Sequence, residues 1–228
     1  MIAIPRISIV IPTLNEAVQV ISTLDRLQPL RERGHEVIVI DGGSSDATQA
    51  QVAPLVDKVL DAPRGRASQL AVGARLSSHP ILWFVHADTW VPANADDLIV
   101  EALDSAQWGR FDVRLSGREC HPYLRIVDRL MNWRSRLTGI ATGDQGIFVT
   151  RSAFNAVGGM PRMSLMEDVE LSRRLKSLGR PACIGEPLVT SSRRWEQHGV
   201  FRTIGLMWCL RGAYGVGVSP NVLARFYR

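Results

Sequence analysis

SIVIPTLNE, residues 8–16, is an unbroken apolar run that stops abruptly in polar side chains. The same form recurs at EVIVIDGGSSDAT (36–48) and ILWFVHADT (81–89). Parallel strands covered on both faces read as continuous Val/Ile/Leu runs rather than as alternations. Open α/β sheets bind ligands outside the carboxyl ends of such strands. The expectation is that Asn15, Glu16, Asp41, Asp46 and Asp88 gather along one sheet edge. A cleft for a nucleotide and a metal needs side-chain oxygens there.

Helical periodicity fills the gaps between these runs. Apolar residues at 17, 18, 20, 21, 24 and 27 predict a helix from about Asn15 to Leu27. The glycines of Asp-Gly-Gly-Ser-Ser-Asp permit a tight turn, and Ser44 or Asp46 can cap the helix after it. A short strand at 57–60 precedes a helix ending near Leu76, then a strand at 80–85 and a helix over 93–105. This alternation implies βαβ units and a mostly parallel sheet. Past residue 105 the regularity breaks. WGRFDVRL (108–115) alternates like a half-exposed strand, and 121–138 reads as an amphipathic helix with Leu124, Val127, Leu130, Met131 and Leu137 on one stripe. A strand at 146–150, helices at 151–157 and 167–178, strands near 181–184 and 187–190 and a helix over 197–213 complete the reading. We expect one α/β domain over 1–195, with a short helical appendage, 196–228, packed on it.

The chain has 228 residues, 46% apolar and 21% charged, enough for one such domain with a full core. Cys120, Cys183 and Cys209 are odd in number and widely spaced. They fit neither a disulfide framework nor a zinc site, and point to reduced, buried thiols in the cytosol. The opening MIAIPRISIV runs straight into a strand without the form of a signal peptide. No apolar stretch reaches the roughly 18–20 residues of a membrane span. The nearest, 199–218, is broken by Arg202 and Arg211. Charge is uneven: residues 1–117 carry 10 Lys+Arg against 14 Asp+Glu, and residues 118–228 carry 17 against 8. An acidic first half suits a metal site, and a basic second half suits phosphate, an anionic acceptor or an anionic membrane surface. The basic residues are dispersed and form no nucleic-acid motif, which argues against nucleic acid as a partner.

Neither G-x-G-x-x-G nor G-x-x-x-x-G-K-[ST] occurs. The turn after the first run is Pro-Thr-Leu-Asn-Glu, which offers side-chain oxygens where those folds offer bare backbone. Acceptors there suit a base or ribose better than a pyrophosphate. Taken with "FVHADT" and "MEDVEL" in order and spacing, the chain resembles the inverting family 2 glycosyltransferases with the GT-A fold. The resemblance spans about 7 to 180. The HAD and GDQ variants resemble a compact bacterial subgroup.

The resemblance implies a Rossmann-like sheet flanked by helices, a nucleoside-diphosphate sugar donor, usually UDP-linked, and Mg²⁺ or Mn²⁺. Pro12, Thr13, Asn15 and Glu16 match the first nucleotide-binding segment. Asp41 matches the position contacting the base, with Gly43, Ser44 and Asp46 in the following turn. Arg66 and Gln69 match a segment facing the nucleotide, and Ala87 and Asp88 complete the DXD motif, whose last aspartate holds the metal. Glu167 and Asp168 match the ED motif, whose aspartate is the general base. The first DXD position departs from the pattern. It is His86, which either touches the metal or tunes Asp88 and the sugar.

The chemistry stands without the family. Inverting sugar transfer needs a carboxylate to take the acceptor hydroxyl's proton and a divalent ion to offset charge on the leaving diphosphate. Asp168 and Asp88 suit those roles, and the dipole of a helix opening at Glu167-Asp168 favours ionised carboxylates. The bland reading makes these two ordinary first-turn acids. Asp144 and Gln145 either meet a sugar or acceptor hydroxyl or fix a turn. Arg193, Arg194, Trp195 and His198 either grip diphosphate and stack on sugar, or form a solvated basic patch. The arginine- and aromatic-bearing helices at 121–138 and after 199 either lie on anionic lipid, consistent with a lipid-linked acceptor, or cover each other and the sheet. The expected location is the cytoplasm, including the inner face of the membrane. The runner-up is a sugar-nucleotide binding protein that has lost catalysis.

Overall fold

The structure, a computed structural model, describes residues 5–117, 119 and 121–227, with the side chains of Arg194 and His198 left outside the description. In chain order the strands are β1 (Ile7–Thr13), β2 (Glu36–Asp41), β3 (Lys58–Asp61), β4 (Ile81–Phe84), β5 (Thr89–Trp90), β6 (Trp108–Leu115), β7 (Phe148–Thr150) and β8 (Ala182–Thr190). The helices are α1 (Val20–Glu32), α2 (Thr48–Val52), α3 (Arg66–Leu76), α4 (Ala95–Leu103), α5 (Leu124–Thr138), α6 (Arg151–Ala156), α7 (Glu167–Leu175), α8 (Arg193–His198), α9 (Val200–Gly215) and α10 (Pro220–Phe226).

All eight strands form one sheet in the order β3-β2-β1-β4-β7-β6-β8-β5. β3, β2, β1 and β4 are parallel, β7 is antiparallel to both neighbours, β8 is parallel to β6, and β5 is antiparallel to β8. Only β7 and β5 therefore run against the common direction. That topology decides where the chemistry meets. The carboxyl ends of β1, β2, β4, β6 and β8 open on one edge, and reversed β7 brings its amino-terminal approach there too.

Alternation along the strands divides the core between two faces. Ile7, Ile9, Ile11, Val37 and Val39 pack with α1 and α4, whereas Val10, Ile38 and Ile40 pack with α3, α6 and α7. Helix α3 lies very close to the sheet. A Cβ on Gly73 would sit 2.3 Å from Val10 Cγ1, so only a bare backbone fits that crossing.

Several sequence expectations shift. The first helix begins at Val20, not Asn15, because Asn15 adopts φ +55° in a turn that joins the loops after β1 and β2. It also continues through Pro29 to Glu32. β6 is mostly buried, as an interior strand between β7 and β8. The two short strands read near 181–190 are one strand with an irregularity in register opposite Phe111/Asp112. The helix read over 197–213 is α8 and α9, followed by α10, with Gly199 at φ +79° between the first two. In α5 the buried residues include Leu124 and Val127, whereas Leu130 and Leu137 face outward. Cys183 is half-buried and Cys209 exposed, both as free thiols, so burial does not explain them; Cys120 lies outside the described residues. No helix among the described residues is long and apolar enough to cross a membrane.

Candidate active site

The common sheet edge opens into a cleft of about 850 Å³. Its floor carries Pro12, Glu16, His86, Ala87 and Asp88, its far side Asp144, and its mouth Arg193 and Trp195. Five of these come from the strand ends after β1 and β4. Asp144 comes from the 3₁₀ turn Gly143–Gln145 before β7, and Arg193 and Trp195 follow β8.

No described side chain hydrogen-bonds the carboxylate of Asp88. Burial pushes Asp88 up from its ordinary range and Asp144 adds to this, against His86 and Arg193. Burial likewise raises Glu16, with Asp88 and Asp46 adding and Arg193 opposing at 3.5 Å. His86 bridges the site. Its Nδ1 lies 3.2 Å from Asp144 Oδ1 and its Nε2 3.3 Å from Arg66 Nη1. Because the guanidinium can only donate, this geometry fits the tautomer that donates from Nδ1 to Asp144. Gly143 makes room for the ring, since a Cβ there would lie 2.4 Å from His86 Nε2. Asp144 is held below its usual range; desolvation is outweighed by the His86 hydrogen bond and by Arg66 and Arg211.

Glu167 and Asp168 open α7 behind this floor. Met166 precedes them at φ +67°, an uncommon conformation for a non-glycine residue. Arg66 Nε donates to Glu167, which is nearly buried, and Nη2 reaches Asp168 Oδ2 at 3.4 Å. Gly143 N–H also donates to Asp168 Oδ2 at 2.8 Å. Desolvation opposes the charge of Arg66, but Glu167 and Asp168 outweigh it and raise its pKa. Asp168 faces a small pocket of about 20 Å³, while Arg66 borders both that pocket and the main cleft.

Other expected site residues build the scaffold instead of lining the cleft. Asp41 is fully buried and accepts from Gly43 N–H, Ser44 N–H, Ser44 Oγ, Gln49 Nε2 and Thr13 Oγ1. Those donations from Ser44, Gln49 and Gly43 outweigh desolvation and hold its carboxylate low. Asn15 accepts from Ser45 N–H at 2.8 Å, and Asp46 accepts from Ala17 and Thr48 N–H. Gln69 turns inward, donating to the carbonyls of Thr13 and Ile40, both at 2.8 Å. Gln145 is buried in a capping box with Thr142. The Arg194 side chain, like that of His198, lies outside the described residues. Among the described side chains, neighbouring Arg193 reaches the cleft. Arg134 and Arg211, on α5 and α9, also line it and were not singled out as site residues in sequence. Only their basic character signalled them, and many exposed arginines share it.

Residues 8–157 match Glycosyl transferase family 2. The chain belongs to that family. Among solved structures, this family 2 chain is similar to a mannosyltransferase from Pyrobaculum calidifontis in complex with GDP-Man and Mn²⁺ (TM-score 0.60, 23% identity, 83% of this chain and 57% of that one). It is also similar to glucosyl-3-phosphoglycerate synthase from Mycobacterium tuberculosis with Mn²⁺, UDP and glucosyl-3-phosphoglycerate (0.61, 21%, 82% and 71%). S. aureus TarS 1-349 in complex with UDP-GlcNAc is a third (0.63, 13%, 82% and 58%). At these identities the likeness is one of fold, the GT-A arrangement. The family 2 chain spans less than two thirds of the mannosyltransferase and of TarS 1-349. A comparison with curated proteins finds no significant sequence match.

Proposed function

We propose that this family 2 chain transfers a sugar from a nucleoside-diphosphate sugar, a UDP-sugar by preference, to a hydroxyl acceptor with inversion. The observation that carries this is the carboxylate of Asp88, half-buried at the strand end, without a hydrogen-bonding side chain among the described residues and beside Glu16 and Asp144. A partly desolvated carboxylate in that state is stabilised by a cation. Among the described residues no group of three or more His, Cys, Asp or Glu forms a metal cage. Asp88 would hold Mg²⁺ or Mn²⁺, hard cations that need few protein ligands. The solved neighbours with Mn²⁺, UDP or sugar nucleotides support the same reading.

In this reading Asp88 anchors the cation that offsets charge on the leaving diphosphate. Arg193, at the mouth, donates to phosphate oxygens, and Trp195 closes the sugar side against water. His86 fixes Asp144 toward the sugar. Arg66 shifts from Asp168 to the incoming diphosphate, freeing Asp168 to take the acceptor hydroxyl's proton as that oxygen attacks the anomeric carbon. The packed sheet edge, 1–195, carries these groups, and 196–228 forms an appendage on the same domain.

Donor hydrolysis with Mn²⁺, measured in wild type and in Asp88→Ala, Asp168→Asn and Asp144→Asn, tests the assignments. Loss of at least about a hundredfold is expected for Asp88→Ala and Asp168→Asn. Unchanged turnover in both would remove the proposed roles. If Asp144→Asn alone abolishes turnover, the base is Asp144, whose side chain is 42% exposed to the cleft. A second reading, sugar-nucleotide binding without transfer, is favoured by the grip of Arg66 on both ED acids. UDP binding without turnover across an acceptor panel would select it.

A further inference from the structure

The cleft is much larger than its polar floor, and its outer wall is of a different kind. Tyr123 just before α5, with Leu130, Trp133, Phe201 and Trp208 from α5 and α9, lines it, yet each is more than half exposed. On α5 the exposed residues Ile126, Leu130, Trp133 and Leu137 follow helical spacing, so they form a stripe facing outward. Tyr123 and Phe201 meet with tilted rings, centroids 5.8 Å apart, which joins the α5 and α9 surfaces into one. Arg125 and Arg129 flank the stripe on α5 and Arg202 lies on α9, whereas Arg136 is paired with Asp112. An apolar surface of this extent costs free energy in water and calls for a partner.

Inside the same wall are two guanidiniums the donor chemistry does not use. Arg134 Nε and Nη2 are buried and have no hydrogen-bond partner. Its pKa falls to about 10, through burial first and then the positive charges of Arg211 and Arg110, with Asp168 offsetting only part. Arg211 borders the cleft beside it, and neither arginine forms an ion pair among the described residues. A buried guanidinium without a partner is costly, and a second cation nearby adds to the cost. Both penalties disappear when an anion enters between them. A phosphate matches the fork of guanidinium donors.

We propose that Arg134 and Arg211 bind the phosphate of a membrane lipid that is the acceptor of the transfer, with its hydrocarbon chain against the apolar wall of α5 and α9. This rests on the transfer reading above for the acceptor role, but the binding itself does not. The flanking arginines complement an anionic bilayer surface, and the exposed Ile126–Leu137 stripe and Phe201 and Trp208 enter its interface. The cleft then opens at the lipid surface, with the phosphate held at Arg134 and Arg211 and the hydrocarbon chain lying along the apolar wall. The bilayer is thus the partner that covers the exposed stripe.

Flotation of the full chain with vesicles tests this, using phosphatidylcholine alone and phosphatidylcholine containing phosphatidic acid. Wild type is expected to prefer the phosphatidic acid vesicles by at least about tenfold, the scale of one or two charge-assisted hydrogen bonds. Arg134→Gln/Arg211→Gln removes that preference, whereas Arg125→Gln/Arg129→Gln on the outer face lowers it less. Leu130→Ser/Trp133→Ser weakens binding to both vesicle types. Equal wild-type binding to both vesicles, or a preference that survives in the Arg134/Arg211 variant, overturns the phosphate site. Glycerol 3-phosphate separates the two sources of phosphate: competition at concentrations equal to the lipid overturns the lipid in favour of a soluble phosphate. Thermal unfolding reports the folding of the same variants, and calorimetry follows UDP with Mn²⁺. In wild type it tests the donor reading separately, so loss of UDP binding there would end the transfer proposal and leave the lipid result standing.

Discussion

Arg66 grips Glu167 through Nε while its Nη2 stands 3.4 Å from Asp168 Oδ2, so one guanidinium from α3 spans both acids at the start of α7. Glu167 is 3% exposed at its side chain and Arg66 34%, which makes the pair an inward acid held by a cation that reaches the cleft. The same arginine contacts His86. It is thus the mechanical link between the ED pair and the floor of the cleft.

Removing that cation leaves Glu167 buried without its partner. Arg66→Gln is expected to lower unfolding stability by about 2–3 kcal/mol, at or below the roughly 3–5 kcal/mol for breaking a fully buried pair because the arginine is partly exposed. Urea unfolding measures it. An unchanged midpoint would mean that water replaces the arginine without cost.

Asp88 predicts the opposite sign. Its carboxylate is half-buried, raised and near Asp144 and Glu16, so Asp88→Asn relieves repulsion. The variant is expected to melt higher than wild type in the absence of metal, by about 1 kcal/mol of stability, and to lose the further rise produced by Mn²⁺ with UDP. Thermal unfolding with and without both ligands checks the two halves of this statement.

Gly73 sets helix propensity against packing. Alanine in a helix gains about 1 kcal/mol over glycine. At this crossing its Cβ would meet Val10 Cγ1 at 2.3 Å and Ile40 Cγ1 at 3.0 Å, both on buried strands without room to retreat. Overpacking costs about 1–3 kcal/mol, so Gly73→Ala is expected to destabilise. A higher urea midpoint would show that α3 can move off the sheet.

Acid sensitivity follows from Glu36 and Glu170, each pulled down to about 2 from 4.5. For Glu36, burial alone would raise the value, and hydrogen bonds from Lys58, Ser8 and Ser78 more than reverse it. For Glu170, hydrogen bonding by Arg173 is the largest cause, with Arg174 and Tyr214 adding. Depressed carboxylates contribute stability above their unfolded value and lose it as pH falls through the folded one. Stability is therefore expected to decline between about pH 4.5 and pH 2, by roughly 3 kcal/mol for each group. The raised Asp88 and Glu16 act with the opposite sign and soften the upper part of that decline. Glu36→Gln and Glu170→Gln should each flatten the profile measured by chemical unfolding.

The local sequence of this family 2 chain determined its strands and the edge they share. Continuous apolar runs have no alternative to burial on both faces, and the polar residues ending them must emerge where the strands do. That reading extends to Pro12, Glu16, His86, Ala87 and Asp88, which meet in the cleft. It falls short at Asp41, Gln69 and Gln145, because a polar side chain near a strand end can serve backbone donors as well as a ligand, and spacing does not distinguish them. Tertiary structure alone decided which acids adjoin, that Arg66 joins the HAD and ED motifs, and that Arg134 and Arg211 share one wall. Those pairings join residues 20 to more than 100 positions apart through the reversal of β7 and the return of α9. Contacts of that kind depend on how the sheet is ordered, which no local pattern encodes.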